Sequence, residues 1–421
     1  MTKETMLPSE TARNNRILLW LVIVITIAGV AARFIAWESV DFYYPDETYY
    51  LKFTKFHASN SLTAFAGYVE EFIKLQESAK EGIPPPTRLV YPYASALLHN
   101  VSGLSIGQSL IAVSAAASSL MLILAAIWSW RMFSPGISAS VSALMAVSLN
   151  QLHLSQRIMI DPVFGALTLA ALWSLWELGN RARHRRLFGL LYVFSLSALV
   201  MVKENAFFVF VAVAILLVSR KYTKVLPELP RNMLLTTIGT GAISFCTLVF
   251  ISGGFGKFFS LYRLLVERSL VTPYALIYCD GPWYRYIVDS MLAQPLPTIF
   301  AIAAIFRAPF EDARVRFLCI FMAVTFAVMS QVKCGMCYRF AIVWDFPIAV
   351  LAAFQIQKIA GRLKPCRTAL AHAVLVVVIC ASQIQNFWMV GVTAKRYALT
   401  TIDLVTALKM YNPAKQATPP R

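Results

Sequence analysis

The chain has 421 residues, of which 58% are hydrophobic and only 14% charged, against about 25% charged in an ordinary soluble domain, and that excludes a water-soluble globule. The formal charge of +17 would suit nucleic acid, but the basic residues fall in short segments between apolar runs: "NRARHRR" at 180–186, "SRKYTK" at 219–224 and "KIAGRLKPCR" at 358–367. That is the pattern of cytoplasmic loops, so no nucleic-acid partner is expected and the class that remains is an all-α polytopic membrane protein.

In chain order, a basic segment 1–16 precedes an apolar run at 17–34. The run lacks a small-residue cleavage site and reads as a retained first span. The first large outer segment, 35–107, opens on "ESVDFYYPDETYYLKF", with Asp41, Asp46 and Glu47 among aromatics. Pro45 followed by two acids suits the first turn of a helix, which is one reading of Asp46 and Glu47. The other is that one carboxylate faces a cavity and acts as a base. Phe42, Tyr43, Tyr44, Tyr49 and Tyr50 fit an interface belt or the walls of a site for a sugar and a lipid. Farther on, "YVEEFIKLQESAKEG" predicts an interfacial or soluble helix. Pro84, Pro85 and Pro86 forbid helix, Arg88 follows them, and the run 92–104 is predicted to lie along the membrane surface.

Ten more spans are predicted near 108–130, 135–153, 162–178, 187–202, 205–219, 232–251, 293–306, 315–330, 340–357 and 370–388, about eleven in all. With the N-terminus inside, the short inner segments hold nearly half of the 38 Lys and Arg, in agreement with the positive-inside rule. The second large outer segment is 252–292, where Trp283, Tyr284 and Arg285 read as interface aromatics or acceptor contacts. Residues 391–421 are expected to form a poorly ordered outer tail, leaving 1–390 as one transmembrane unit without an internal repeat.

Further ionisable residues stand at span edges. Asp161 lies in "SQRIMIDPVFG" with Arg157 four residues before it, close enough to pair if helical. In "LVMVKENAFF", Lys203 must snorkel, pair or hold an anion. Arg339 opens a span in "CYRFAIVWDFP". Cys334 and Cys337, in "CGMC", are a local disulfide, a redox pair or two unrelated thiols. Carboxylates and isolated cations on separate outer segments suit a reaction at a phosphorylated lipid, with cations on the phosphate and a carboxylate taking a proton. A transporter or flippase of lipid-linked sugars is the alternative, recognised by mid-span charge and an inverted repeat; an envelope assembly protein is a third reading.

The order of "PDETYY" at 45–50, "PPPTRLVYPYASALL" at 84–98, "SQRIMID" at 155–161, "MVKENAFF" at 201–208 and "CYRFAIVWDFPIAV" at 337–350 resembles the polytopic glycosyltransferases of the GT-C class. It looks most like the bacterial relatives of protein O-mannosyltransferases and lipid A aminoarabinose transferases. The family's late Arg-Tyr pair stands here as Arg339-Phe340. The resemblance implies a GT-C transmembrane fold in a bacterial cytoplasmic membrane, working on its periplasmic side in envelope biogenesis. It implies a polyprenyl-phosphate-linked sugar as donor and a glycan, lipid or protein hydroxyl as acceptor. Asp46 would be the base of an inverting displacement, with Glu47 and Asp161 shaping the site. Lys203, Arg339 and Arg88 would hold the donor phosphate, and Tyr50, Tyr49 and Tyr93 would contact substrate. Because a sugar phosphodiester is a fair leaving group, no essential metal or other cofactor is expected, a divalent ion between Asp46 and Asp161 being left open.

Overall fold

The computed structural model describes residues 8–37, 44–180, 184–230, 232–333 and 335–410. Asp41, Phe42, Tyr43, Cys334 and the end of the tail, 411–421, lie outside the described residues. Among those described there are helices and connecting loops and no strand.

Helix α1 (Pro8–Phe34) is followed by α2 (Pro45–Ser59), α3 (Phe65–Ser78) and α4 (Val90–Ser102). Pro45 and two acids do open α2: Glu47 Oε2 accepts the Tyr44 backbone N–H at 2.9 Å, satisfying a donor that a helix start leaves orphaned. Helix α4 stops at Gly103, whose φ of 71° a glycine adopts without a Cβ clash. It packs against α2 and α5 (Ile106–Met132) while Tyr93, Leu97 and Val101, four apart, stay exposed. One apolar stripe turned outward fits a helix lying along a membrane surface.

The next helices are α6 (Pro135–Ala146), α7 (Leu149–Ser155), α8 (Asp161–Asn180), α9 (Arg185–Val202), α10 (Ala206–Thr223) and α11 (Met233–Ile251). Gly29 of α1 lets that helix close on its neighbours, since a Cβ there would stand 2.8 Å from Ala146 Cβ. The long segment 252–292 divides into α12 (Phe255–Ser269), α13 (Pro273–Tyr278) and α14 (Arg285–Ala293). Helix α12 lies on α3, tied by Lys257 to Glu70 at 2.7 Å, so the two long segments between spans pack together. Then come α15 (Pro295–Ile305), α16 (Ala308–Glu311), α17 (Ala313–Met329), a 3-10 stretch Tyr338–Trp344, α18 (Asp345–Ala360), α19 (Pro365–Phe387) and α20 (Thr401–Ala407). One continuous apolar core runs through the bundle from Tyr50 to Ala407.

Among the described residues, eight helices are long and apolar enough to cross a bilayer, or nine if α6 and α7, bent by 47°, are one span. The protein is therefore multi-pass, but the expected eleven spans are not reached. Helix α15 has 11 residues, about 16 Å of rise against a hydrocarbon core of about 30 Å. Pro295 opens it and Arg307 follows its end. Helix α17, with 17 residues, sits at the lower limit and carries Arg314 and Arg316 near its start.

The tail also departs from expectation. After α19 the chain turns back through residues 394–400 into α20, which packs on α14. Tyr397, Ala398, Leu399 and Thr400 are buried. The expected poorly ordered tail from residue 391 does not hold over 394–410, where the apolar group at 397–399 is buried against the bundle; residues 411–421 lie outside the described residues.

Candidate active site

Four chain breaks put charge at one end of the bundle. Helix α2 begins at Pro45 and presents Asp46. Pro162 confines α8 to a start at Asp161, because a proline inside a helix clashes with the carbonyl four residues back. Between α9 and α10 only three residues intervene, and Lys203, extended at φ −162°, turns off the end of α9. The 3-10 stretch before α18 places Arg339.

These side chains meet in one cavity of about 190 Å³, lined among others by Asp46, Tyr50, Arg88, Asp161, Lys203 and Arg339. Arg339 Nη2 donates to Asp46 Oδ2 at 2.8 Å. Lys203 Nζ donates to Asp161 Oδ1 at 2.7 Å and lies 3.6 Å from the centre of the Phe340 ring. Arg88 grips Glu204 through Nε and Nη2, at 3.2 and 2.9 Å, and donates Nη1 to the Tyr50 hydroxyl at 2.8 Å. Three cations and two carboxylates line the cavity, and a third carboxylate, Glu204, pairs with Arg88 from behind the wall, so the cluster is charge-balanced. The Asp46 side chain is 29% exposed and that of Arg339 12%, so the pair faces the cavity.

The environment sets the protonation states. Burial works against ionisation of Asp46, but the Arg339 guanidinium, with Arg88 and Lys203 beyond it, outweighs that and holds the carboxyl below its ordinary value. Burial pushes the Lys203 ammonium down to about 8, with Asp161 resisting. Burial pushes the Tyr50 phenol up to about 12, so it stays protonated and can donate.

The other expected residues sit differently. Glu47 does not line the cavity. It is fully buried against Arg157, which donates through Nε and Nη2 at 3.1 and 2.9 Å, and it accepts the Ile158 N–H at 3.1 Å. The expected Arg157–Asp161 pair is replaced by Arg157–Glu47 and Lys203–Asp161, because residues 156–160 are not helical. Tyr49 and Tyr93 do not line the cavity either: Tyr49 stands under Lys52 and Tyr93 against His57. Trp283 and Tyr284 are exposed, and Arg285 binds the carbonyls of Tyr278 and Asp280. Among the described residues, no three His, Cys, Asp or Glu side chains gather as a metal would require.

Sequence reasoning missed Tyr397. Its ring stacks on Tyr44 with centroids 4.0 Å apart and lies 5.4 Å from both the Arg157 and the Arg339 guanidinium carbons. Nothing in the local sequence marks it. It also borders a second, larger cavity of about 850 Å³ shared with Tyr44, Tyr274, Tyr278, Arg396 and Asp403; Tyr274 lines both cavities. Tyr397→Ala is expected to cost about 3–5 kcal/mol of stability, the usual range for emptying a buried aromatic site. The thermal midpoint in detergent measures it, and an unchanged midpoint would show that the returning tail adds nothing to the bundle.

No protein-family model matches the chain, and no curated protein sequence matches it. Solved structures do. ArnT from Cupriavidus metallidurans in the apo state aligns with a TM-score of 0.55 at 12% identity, covering 93% of this chain and 74% of that one. The same protein bound to undecaprenyl phosphate gives 0.51 at 12%, covering 93% and 75%. The Archaeoglobus fulgidus oligosaccharyltransferase in the apo form gives 0.58 at 13%, covering 95% of this chain and 59% of that one. The chain thus spans about three-quarters of ArnT and under two-thirds of the oligosaccharyltransferase. At such identity the likeness is one of architecture, and the chain has a GT-C-like polytopic membrane fold.

Proposed function

We propose that the protein is a membrane glycosyltransferase that moves a sugar from a polyprenyl-phosphate donor to an acceptor hydroxyl, with inversion, on the outer face of a bacterial cytoplasmic membrane. The observation that carries this reading is the charge of one cavity: Arg88, Lys203 and Arg339 face Asp46 and Asp161. A phosphodiester brings one negative charge, which Arg339 and Lys203 can meet by exchanging their carboxylate partners for the phosphate. The neighbours in fold support it as analogy: one is an oligosaccharyltransferase and another holds undecaprenyl phosphate.

In the mechanism, the donor phosphate draws Arg339 and Lys203 toward itself. Arg339 gives up its bond to Asp46, and the released carboxylate accepts the acceptor's proton as the hydroxyl oxygen attacks the anomeric carbon. The bond from that carbon to the phosphate oxygen breaks, and the electron pair leaves on the phosphate, where the cations stabilise it. No proton is needed by this leaving group. Glu47 acts on the site from behind: it holds Arg157, which fixes the chain leading to Asp161. The acceptor enters through the larger aromatic cavity bordered by Tyr397 and Tyr274.

The test is mass analysis of lipid-linked sugars and envelope glycans from cells with and without the gene. The expected result is loss of one sugar from one glycan while a polyprenyl-phosphate sugar accumulates. Unchanged glycans alongside an altered membrane distribution of the lipid-linked sugar would favour a flippase and remove the transferase.

A pH dependence follows. A lysine with its pKa lowered to about 8 is charged below that value and neutral above it. Donor binding is therefore expected to weaken as pH rises through about 8, and Lys203→Arg, whose guanidinium stays charged, is expected to remove that decline. KM for the donor against pH measures both, and identical profiles would take Lys203 off the phosphate.

A further inference from the structure

The wall of the catalytic cavity also holds two cysteines that the mechanism does not use. Cys279, just after α13, and Cys337, just before the 3-10 stretch that carries Arg339, both line it. Their side chains are buried, at 5% and 2% exposure, and their sulfurs stand 3.0 Å apart. A disulfide bond is about 2.05 Å long, so the thiols need close only about one ångström to be joined. The backbone already pairs the two segments: the Met336 N–H donates to the Cys279 carbonyl at 2.8 Å, and the Tyr286 hydroxyl donates to the Gly335 carbonyl at 3.3 Å. With the Cys337 thiol as donor, Cys279 is held below the ordinary thiol value, and Arg339 and Arg285 act in the same direction. That makes Cys279 the better nucleophile of the two.

We propose that Cys279 and Cys337 form a disulfide that fastens the second outer segment to the Arg339 segment and so fixes the cavity wall facing the donor phosphate. This rests on the outward-facing reading of the site, since an extracytoplasmic compartment is where disulfides form and persist. The oxidant is a disulfide, carried by a thiol-oxidising protein or by oxidised glutathione. The Cys279 thiolate attacks one of its sulfurs and expels the first thiolate. Cys337 then loses its proton and attacks Cys279, breaking the mixed disulfide and expelling the second. The two electrons pass to the external disulfide, which ends as two thiols, and the chain has lost two hydrogens. The sequence left Cys334 and Cys337 open as a local disulfide, a redox pair or unrelated thiols; Cys334 lies outside the described residues, and the fold sets Cys337 against Cys279, 58 residues away.

The experiment uses the full-length protein, extracted from cells into detergent with free thiols blocked by a maleimide, and peptide mapping with and without reductant. The expected result is a cross-linked pair of peptides carrying Cys279 and Cys337 that separates on reduction, persists in Cys334→Ser and disappears in Cys337→Ser. Maleimide on both cysteines in the cell-derived protein would overturn the bond. So would a cross-link that survives in Cys337→Ser. A second arm treats purified, reduced protein with oxidised glutathione, which probes the geometry whatever side of the membrane the site faces. Failure of this pair to join there sinks the proposed contact itself. Joining there while the cellular protein is reduced refutes the bond in the cell and points to the side of the membrane, not to the chemistry of Asp46. Reduction of the bonded form is expected to lower transfer several-fold, with the larger change in KM for the donor; transfer unaltered by complete reduction would overturn the role given to the bond.

Discussion

Asp46→Asn is expected to lower sugar transfer by about 10²–10⁴-fold, the usual contribution of a positioned general base, while the lipid-linked donor is still bound. The substitution removes a carboxylate from a wall that also carries Asp161 and three cations, so the affinity for an anionic donor should hold or rise. Loss of kcat without loss of donor binding separates a base from a residue that merely shapes the cavity. The pH profile makes a second separation. In the free protein Arg339 keeps the Asp46 carboxyl below its ordinary value, against the opposing effect of burial. The group therefore takes up a proton only at pH below that lowered value. Once the phosphate has drawn Arg339 away, burial acts with less opposition and the carboxyl rises. Because kcat/KM follows the free enzyme and kcat the loaded one, the acidic limb of kcat is expected at higher pH than that of kcat/KM. Steady-state transfer in proteoliposomes across pH measures both. Unaltered turnover in Asp46→Asn would remove this residue from the chemistry, and coincident acidic limbs would remove the exchange at Arg339.

Glu47→Ala is expected to act on the fold instead, although Glu47 is the next residue along. It leaves the Arg157 guanidinium, whose side chain is 4% exposed, buried without its counter-charge. Removing one partner of such a pair costs about 3–5 kcal/mol. The expected observation is a large drop in the detergent melting midpoint and in the yield of folded protein. Replacing both members, Glu47→Met with Arg157→Leu, should recover much of the stability, because a well-packed apolar pair often equals a buried ion pair. If the single variant melts with the native protein, the pair is not what anchors α2 to the 156–160 segment. If the double variant is as unstable as the single one, the hydrogen bonds to the Tyr44 and Ile158 amides carry the stabilisation and not the charge pairing.

Several parts of this protein were legible in its residues. Pro45-Asp46-Glu47 marked a helix start, and α2 begins there. The prolines at 84–86 marked a break, and α4 begins at Val90 beyond it. The apolar runs marked most helices to within a few residues, though eight or nine and not eleven are long and apolar enough to span among the described residues, α15 being short and α17 marginal. The charge-bearing segments were also visible, because a polar residue beside an apolar run stands out. What was not legible was which partner each charge would take. Arg157 and Asp161 share a helical spacing, and spacing alone would pair them; Pro162 prevents the helix from reaching back, and each finds a partner elsewhere. Tyr397 carried no signal, since an ordinary tyrosine near the end of a chain looks like any other.

The sequence by itself determined the class of molecule, the positions of its apolar helices and the places where charge breaks their ends. Those are local properties, fixed by side-chain transfer energies and backbone sterics within a few residues. Tertiary structure alone decided that Asp46 meets Arg339 across 293 residues, that Lys203 meets Asp161 across 42 and that Arg157 meets Glu47 across 110. A charge buried at the end of a membrane helix must find its opposite through space, and space is set by how the helices pack, so neighbours in the chain such as Asp46 and Glu47 come to do different work.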